Sequence, residues 1–321
     1  MISAAYRREA AVAVATLMLL AVMAVKAPDF FRPANLNDMF LASLPVLVVA
    51  LGMTLLIVTG EIDISVGSAF AVCSIAAGVC AKWQVPLFVV AIVACATGAM
   101  LGALNGWLAA FVRVPSIVVT LAMMIALRDG LRWATQGAWV QDLPENFQWL
   151  GLTQHSYAAA VAAVSAVLLA AFAWASRDIS GVRAMYATGS NPGAARLAGI
   201  DTRRMKFIAF VCVGALTGLA ALLNAARFNQ IPPNTGIGLE MKVIAAVVIG
   251  GTSITGGRGT IFGTLLGVIL LAAIGPALTF LGLSAYWERA VQGAIILMAV
   301  AMDALSSRAE AYASDFAPTR A

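Results

Sequence analysis

The sequence predicts an all-α integral membrane protein with about ten transmembrane helices, some of them short or broken. Three observations carry that prediction. Of 321 residues, 62% are hydrophobic and only 11% are charged. Apolar runs near the ~20 residues that a helix needs to cross a bilayer recur along the whole chain. The 28 glycines, set among abundant alanines, let helix backbones approach where lipid offers no hydrophobic driving force for association.

The first run, Ala10 to Ala27, follows Arg7 and Arg8 and imitates a secretory signal. Because apolar runs continue almost to the C-terminus, it reads instead as an anchor or first span. The second run covers Met39 to Gly60, the third Ser65 to Ala81 and the fourth Val85 to Val112. The fifth, Val114 to Leu127, is short for a crossing unless the following "RDGLRWA" extends it. Ala158 to Ala175 and Phe207 to Ala226 form the sixth and seventh. The eighth, Glu240 to Gly251, is short enough to be a broken helix or one packed against protein. Ile261 to Leu281 and Ala290 to Leu305 complete the set. No soluble domain of useful size remains, so residues 1–321 read as a single transmembrane domain with a polar connection over 176–206.

With the N-terminus in the cytoplasm, ten spans place Arg113, the 176–206 connection and Arg258 on that same side. It then holds most of the 20 Lys and Arg, six of them between Ser176 and Lys206. The positive-inside rule therefore favours both termini in the cytoplasm.

Several chemistries are excluded. The sole histidine, His155, lies in a polar stretch, so no His-rich metal cluster forms. Cys73, Cys80, Cys95 and Cys212 fall within predicted spans without C-x-x-C spacing and read as small, buried, unpaired residues. No G-x-x-x-x-G-K-[ST] phosphate loop is present, since "GGTSITGGRG" at Gly250 to Gly259 has no lysine in the required place. If ATP drives this chain, another chain binds it.

The polar residues inside or between apolar runs are the site candidates. "TGEIDISVGS", Thr59 to Ser68, sets Glu61, Asp63 and Ser65 at a predicted helix break. Gly60 can end one helix, and Asp63 or Ser65 can cap the next. The two acids are only two residues apart and would not share a helical face, which argues against an acid/base pair. Capping, a gate lining the pore and proton coupling remain alternatives for them. Asn105 and Asn224, within apolar runs, need either an interhelical hydrogen bond or a wet pore. Arg227, beside "FNQIPPNTGIG", reads as a solvated charge in an external loop. Gly259, Gly263 and Gly267 recur every fourth residue and read as a close-packing face. The Trp residues read as interfacial anchors. In the polar connection, Ser190, Asn191 and Pro192 signal a turn, with Pro192 in the first turn of a short helix. That helix either transmits force from a soluble partner or rests as a basic loop at anionic headgroups.

Four motifs in order resemble a known family: "TGEIDISVGS" at 59–68, "GALNGWLAAFVRVPSIVVTLAMM" at 102–124, "YATGSNPGAARLAGI" at 186–200 and "AAVVIGGTSITGGRGTIFGTLLG" at 245–267. Together they look like the membrane permease of the ribose/xylose/rhamnose class of bacterial ATP-binding-cassette sugar importers, over residues 35–303. The resemblance implies a transport subunit and not an enzyme. A second permease subunit, identical or different, completes the pore. A periplasmic sugar-binding protein delivers the solute, and a cytoplasmic ATPase carries the ATP and Mg2+ that this chain does not bind. The remaining partner is membrane lipid of the bacterial inner membrane, with no nucleic acid.

The resemblance also places contact with the ATPase on Ser190, Asn191, Pro192, Gly193, Ala194, Ala195, Arg196, Leu197, Ala198, Gly199 and Ile200. Asp63 and Ser65 match the family's Asp and Ser, whereas Glu61 stands where glycine is usual. That departure points to rhamnose or another pentose or deoxyhexose as the solute. Two other classes are weighed against this one. An ion-coupled secondary transporter would draw on Glu61 and Asp63, and a membrane-bound enzyme would need a convergent catalytic set that the sequence lacks.

Overall fold

The computed structural model describes residues 4–284, 286–295 and 297–298. Eleven α-helices are assigned within them: α1 (Ala4–Lys26), α2 (Pro33–Val58), α3 (Val66–Lys82), α4 (Leu87–Trp107), α5 (Ser116–Thr135), α6 (Gln154–Asp178), α7 (Ser180–Ser190), α8 (Pro192–Leu197), α9 (Thr202–Ala225), α10 (Leu239–Ile249) and α11 (Ile261–Phe280). Residues 287–295 are also helical. The predicted tenth span, Ala290 to Leu305, lies largely outside the described residues.

Among the described residues, six helices are long and apolar enough to cross a membrane: α1 from Glu9, α2, α4 continued through residue 112, α6, α9 and α11. The 17-residue α3 and the 11-residue α10 are shorter, and α10 has the reduced length expected of the eighth run. The fifth run does extend through "RDGLRWA": α5 covers 20 residues. Arg128 can lie in that helix because its Nε donates to Ser68 Oγ (3.1 Å), which itself donates to the Met124 carbonyl (2.8 Å). His155 opens α6 and does not lie in a loop.

Boundaries follow from local hydrogen bonding. Asn191 Oδ1 accepts from Gly193 N and Ala194 N at the start of α8, and Asp201 Oδ1 accepts from Arg203 N and Arg204 N at the start of α9. Thr260 Oγ1 accepts from Gly263 N at the start of α11. Each short side chain satisfies backbone donors that a helix N-terminus leaves unpaired. α4 ends in a single π-helical turn, Leu108–Val112, closed by Arg113 in the left-handed region (φ 69°).

α2 is the centre of the molecule. Every residue from Leu44 to Val58 is buried, as expected of a helix that is apolar all round. It packs against α9, α10 and α11, and Thr54 and Thr264 share a 2.7 Å hydroxyl hydrogen bond across the α2–α11 contact. The tightest seam joins α4 to α9. There Gly98 and Gly102 face Phe210 and Gly214 with backbone against backbone, and a Cβ on Gly214 would overlap the Gly98 carbonyl. The close-packing reading of the 259–267 glycines holds for Gly263 and Gly267, which lie against the Gly250 and Ala246 carbonyls. Gly259 precedes α11 and faces Thr252.

The seam makes a direct prediction. Gly214→Val should destabilise the folded protein by about 1–3 kcal/mol through overpacking, read as a lower midpoint of thermal unfolding in detergent. Gly130→Ala, with nothing within 4 Å of the added carbon, should leave the midpoint unchanged or slightly raised.

Candidate functional site

α2 closes in a Schellman turn. Gly60 N donates to the Ile57 carbonyl (2.8 Å) and Glu61 N to the Leu56 carbonyl (3.3 Å), and Gly60 adopts φ 83°, a conformation that costs glycine nothing. The chain then runs without helical structure to Val66, sending successive acidic side chains to different neighbours. Glu61 forms an ion pair with Lys206 in the first turns of α9.

Asp63 turns inward and is 3% exposed. Its Oδ1 accepts from Ser65 N (2.8 Å) and Ser65 Oγ (2.6 Å), and its Oδ2 accepts from Asn105 Nδ2 (3.1 Å). Asn105 Nδ2 also donates to Ser65 Oγ (2.9 Å). The three side chains form one buried network tying the helix break to the C-terminal end of α4. Ser65 is the N-cap residue of α3, yet its side chain accepts no N–H from that helix. Asp63 likewise makes an Asx turn with Ser65 instead of capping the first turn. Neither side chain caps α3: the Ser65 hydroxyl donates to the Asp63 carboxylate and accepts from Asn105 Nδ2 instead of from a helix N–H.

Two other sequence motifs converge on the same place. The Val58 carbonyl accepts from Gly257 N (2.8 Å). Gly189 in α7 lies so close to Val58 and Gly257 that a Cβ on it would overlap the Val58 carbonyl, and Gly257 packs directly on Ser190. Tyr186 Oη donates to the Gly259 carbonyl (3.0 Å). Burial raises the Tyr186 phenol above its ordinary range and keeps it the donor. The glycine-rich loop after α10 is thus a packing element wedged between the α2 terminus and α7.

The other candidates separate. Asn224 is half-buried near the far end of α9, about 25 Å along the helix from Phe207, and takes no part in the Asp63 network. Arg227, expected to be solvated, is instead held: its Nη1 donates to the Leu41 carbonyl (2.8 Å) and its guanidinium lies 5.5 Å from the Phe228 ring. Pro45, four residues on in α2, has no N–H for the buried Leu41 carbonyl, which leaves that acceptor to the cation. In the connection, Ser190 ends α7, Asn191 caps α8, and Ala195 is buried while Leu197 is 93% exposed. Ala198, Gly199 and Ile200 lead into α9.

Lys206 was hidden in the sequence because its partner is 145 residues away. Its place at the end of the basic stretch was the one available signal. The four cysteines are unpaired, and among the described residues no group of His, Cys, Asp and Glu is placed to hold a metal.

Removing the amide from the network should be costly. Asn105→Ala is expected to destabilise the protein by about 1–3 kcal/mol, because buried acceptors lose their donor. A double-mutant cycle with Asp63→Ala should give a coupling of about 0.5–3 kcal/mol in denaturant unfolding. Additive effects would mean that the two side chains do not interact.

Comparison with known proteins agrees with the pattern of motifs. A family profile described as "Branched-chain amino acid transport system / permease component" matches residues 35–300. The chain is 36% identical over 295 residues to the ribose import permease protein RbsC of Escherichia coli (strain K12), covering 90% of this chain and 92% of that one. It is 35% identical over 297 residues to the autoinducer 2 import system permease protein LsrC of Enterobacter sp. (strain 638), covering 92% and 86%. The LsrC protein of Yersinia pseudotuberculosis serotype O:3 (strain YPIII) is 32% identical over 296 residues, covering 92% and 84%. No solved structure matches the chain. With identity sustained over nearly the full length of both chains, the protein belongs to the membrane-permease family of the ribose class of bacterial ATP-binding-cassette importers.

Proposed function

We propose that the chain is the membrane-spanning subunit of an ATP-driven importer that passes a monosaccharide from a periplasmic binding protein to the cytoplasm by alternating access. The observation that carries this reading is the direct link from an exposed helix to the centre of the fold. α8 presents Leu197 almost fully to solvent, and α7, joined to it through Asn191, presses on the α2 terminus and the 250–260 loop through Gly189 and Ser190. A solvent-exposed leucine on a short, capped helix suits a pocket on a soluble partner, and the backbone contact behind it gives that partner a lever on the spans.

In this arrangement the chain crosses the bacterial inner membrane about ten times, with α3, α5, α10 and the helix at 287–295 joining the six longer helices. Both termini and the α7–α8 connection face the cytoplasm. A second permease subunit, a cytoplasmic ATPase and a periplasmic binding protein complete the assembly. The relatives' names, for ribose import and autoinducer 2 import, favour a small polar solute. Rhamnose or another pentose or deoxyhexose fits that class. Ion coupling has little to draw on, because Glu61 is paired with Lys206 and Asp63 with Ser65 and Asn105.

Two outcomes are expected. The permease, extracted gently, copurifies with an ATPase whose hydrolysis rises when sugar-loaded binding protein is added, and absence of any associated ATPase would contradict the reading. Leu197→Asp should lower ATPase association by about ten-fold, the effect of losing one interface anchor. Membrane insertion, read from the yield of monodisperse permease, should be unchanged.

A further inference from the structure

The C-terminal end of α4 and the first turns of α9 frame a second constellation, on the outside of the glycine seam. Gly98 lies against Gly214 and Gly218, Gly102 against Phe210 and Gly214, and Gly106 against Phe207 and Phe210. A step along α4 is therefore matched by an equal step back along α9. That antiparallel register sets the π-helical turn, Leu108–Val112, level with Thr202 to Lys206, and Arg113 level with the start of α9. The Phe111 and Phe207 rings, 5.8 Å apart and edge to face, fix the pairing.

Three arginines gather at this end: Arg113, Arg203 and Arg204 are all exposed. Asp201 offsets one of them, since its Oδ2 pairs with Arg204 Nε (3.0 Å) while its Oδ1 accepts from the Arg203 and Arg204 amides. Lys206 is neutralised by Glu61. Among the described residues Arg113 and Arg203 have no ion-pair partner, so the end carries an excess of positive charge. Arg113 is also placed at a cost. It closes the π turn in the left-handed region (φ 69°), where glycine folds more cheaply. Beside the cations, Trp107 and Phe111 of α4 are 51% and 41% exposed, and Ile208 stands open on α9. Both helices are long and apolar enough to cross a membrane. This apolar face therefore meets acyl chains, and the arginines at its edge meet headgroups.

An anionic phospholipid matches these walls. Its phosphate accepts from guanidinium forks, whose planar geometry suits bidentate contact, and its net charge answers the excess of cations. A zwitterionic headgroup would bring a cation of its own into the same positive field. We propose that one anionic phospholipid binds here, its phosphate held by Arg113 and Arg203 and an acyl chain laid along Trp107 and Phe111. The inference needs only that the chain spans a membrane, and it stands whatever solute the permease carries.

The test uses the full-length permease in phosphatidylcholine nanodiscs, titrated with brominated phosphatidylglycerol or, in a parallel series, brominated phosphatidylcholine. Bromine quenches a neighbouring indole, and subtracting the signal of Trp107→Phe isolates Trp107. Half of that quenching should be reached at a mole fraction about ten-fold lower for phosphatidylglycerol than for phosphatidylcholine. Equal fractions for the two lipids, or no quenching of Trp107 by either, overturn the proposal. Arg113→Gly suits the left-handed turn, so the backbone keeps its shape while the guanidinium is lost. The preference for phosphatidylglycerol should then fall about five-fold, the effect of one basic contact at anionic headgroups. Arg203→Gln, on an exposed side chain, should lower it to a similar extent. A preference unchanged in either variant overturns the proposal. An excess of inorganic phosphate should leave the quenching in place, and its relief would reveal a site for a free anion and overturn the lipid assignment.

Discussion

The hydrogen bond from Gly257 N to the Val58 carbonyl, 2.8 Å long, is the constraint on which the C-terminal end of α2 and its surroundings depend. α2 is buried on every side and ends at Val58, so its last carbonyls cannot rely on bulk water. The Schellman turn at Gly60 satisfies Leu56 and Ile57, and the 250–260 loop reaches in to satisfy Val58. That approach is possible only if nothing projects between the two backbones, and Gly189 of α7 fills the remaining space without a side chain. Three segments distant in sequence are therefore joined through main-chain atoms. Main-chain contacts of this kind have no rotamers to absorb a displacement, so a shift of α7 is passed on to the α2 terminus instead of being lost in side-chain motion.

Side chains complete the attachment in a different direction. Glu61 reaches α9 through Lys206, and Asp63 reaches α4 through Asn105. Those two helices are themselves joined along the glycine seam at Gly98, Gly102 and Gly214, so both acids hold the same rigid pair. The break between α2 and α3 is thus fixed to the α4–α9 unit by charge-assisted hydrogen bonds and to α2 and α7 by backbone packing. In a water-poor setting such bonds are stronger than at a surface and more damaging when left unmade. Irregular backbone at this position is tolerated because the protein itself satisfies its polar groups.

Much of this architecture is legible in the sequence because its cause is local. Apolar runs locate the helices, and the short run at 240–251 appears as the 11-residue α10. Asn191 and Pro192 announce α8, and Gly60 announces the end of α2. Partners separated by long stretches of chain leave no local trace. Lys206 looks like one more basic residue until it meets Glu61, and Arg227 looks solvated until α2 offers it the Leu41 carbonyl. Arg128 would end a helix in lipid, yet α5 continues past it because Ser68 stands opposite. Ser65 shows the reverse failure. A serine before a helix can cap it, but here the amide of Asn105, forty residues away, donates to the Ser65 oxygen while its proton goes to Asp63.

The first turn of α3 gives these separate findings a common consequence. Ser65 belongs to the network that ties the break to α4, Gly67 forms the floor beneath Glu240, and Ser68 binds Arg128 of α5. Four consecutive residues thus touch the network to α4, the Glu240 carboxylate and a third helix. A helix turn is stiff over such a distance, so Gly67 cannot move relative to Ser65 without breaking hydrogen bonds on both sides. The break between α2 and α3 therefore ties α7, α4, α5 and α10 into one contiguous body of packed backbone and hydrogen bonds.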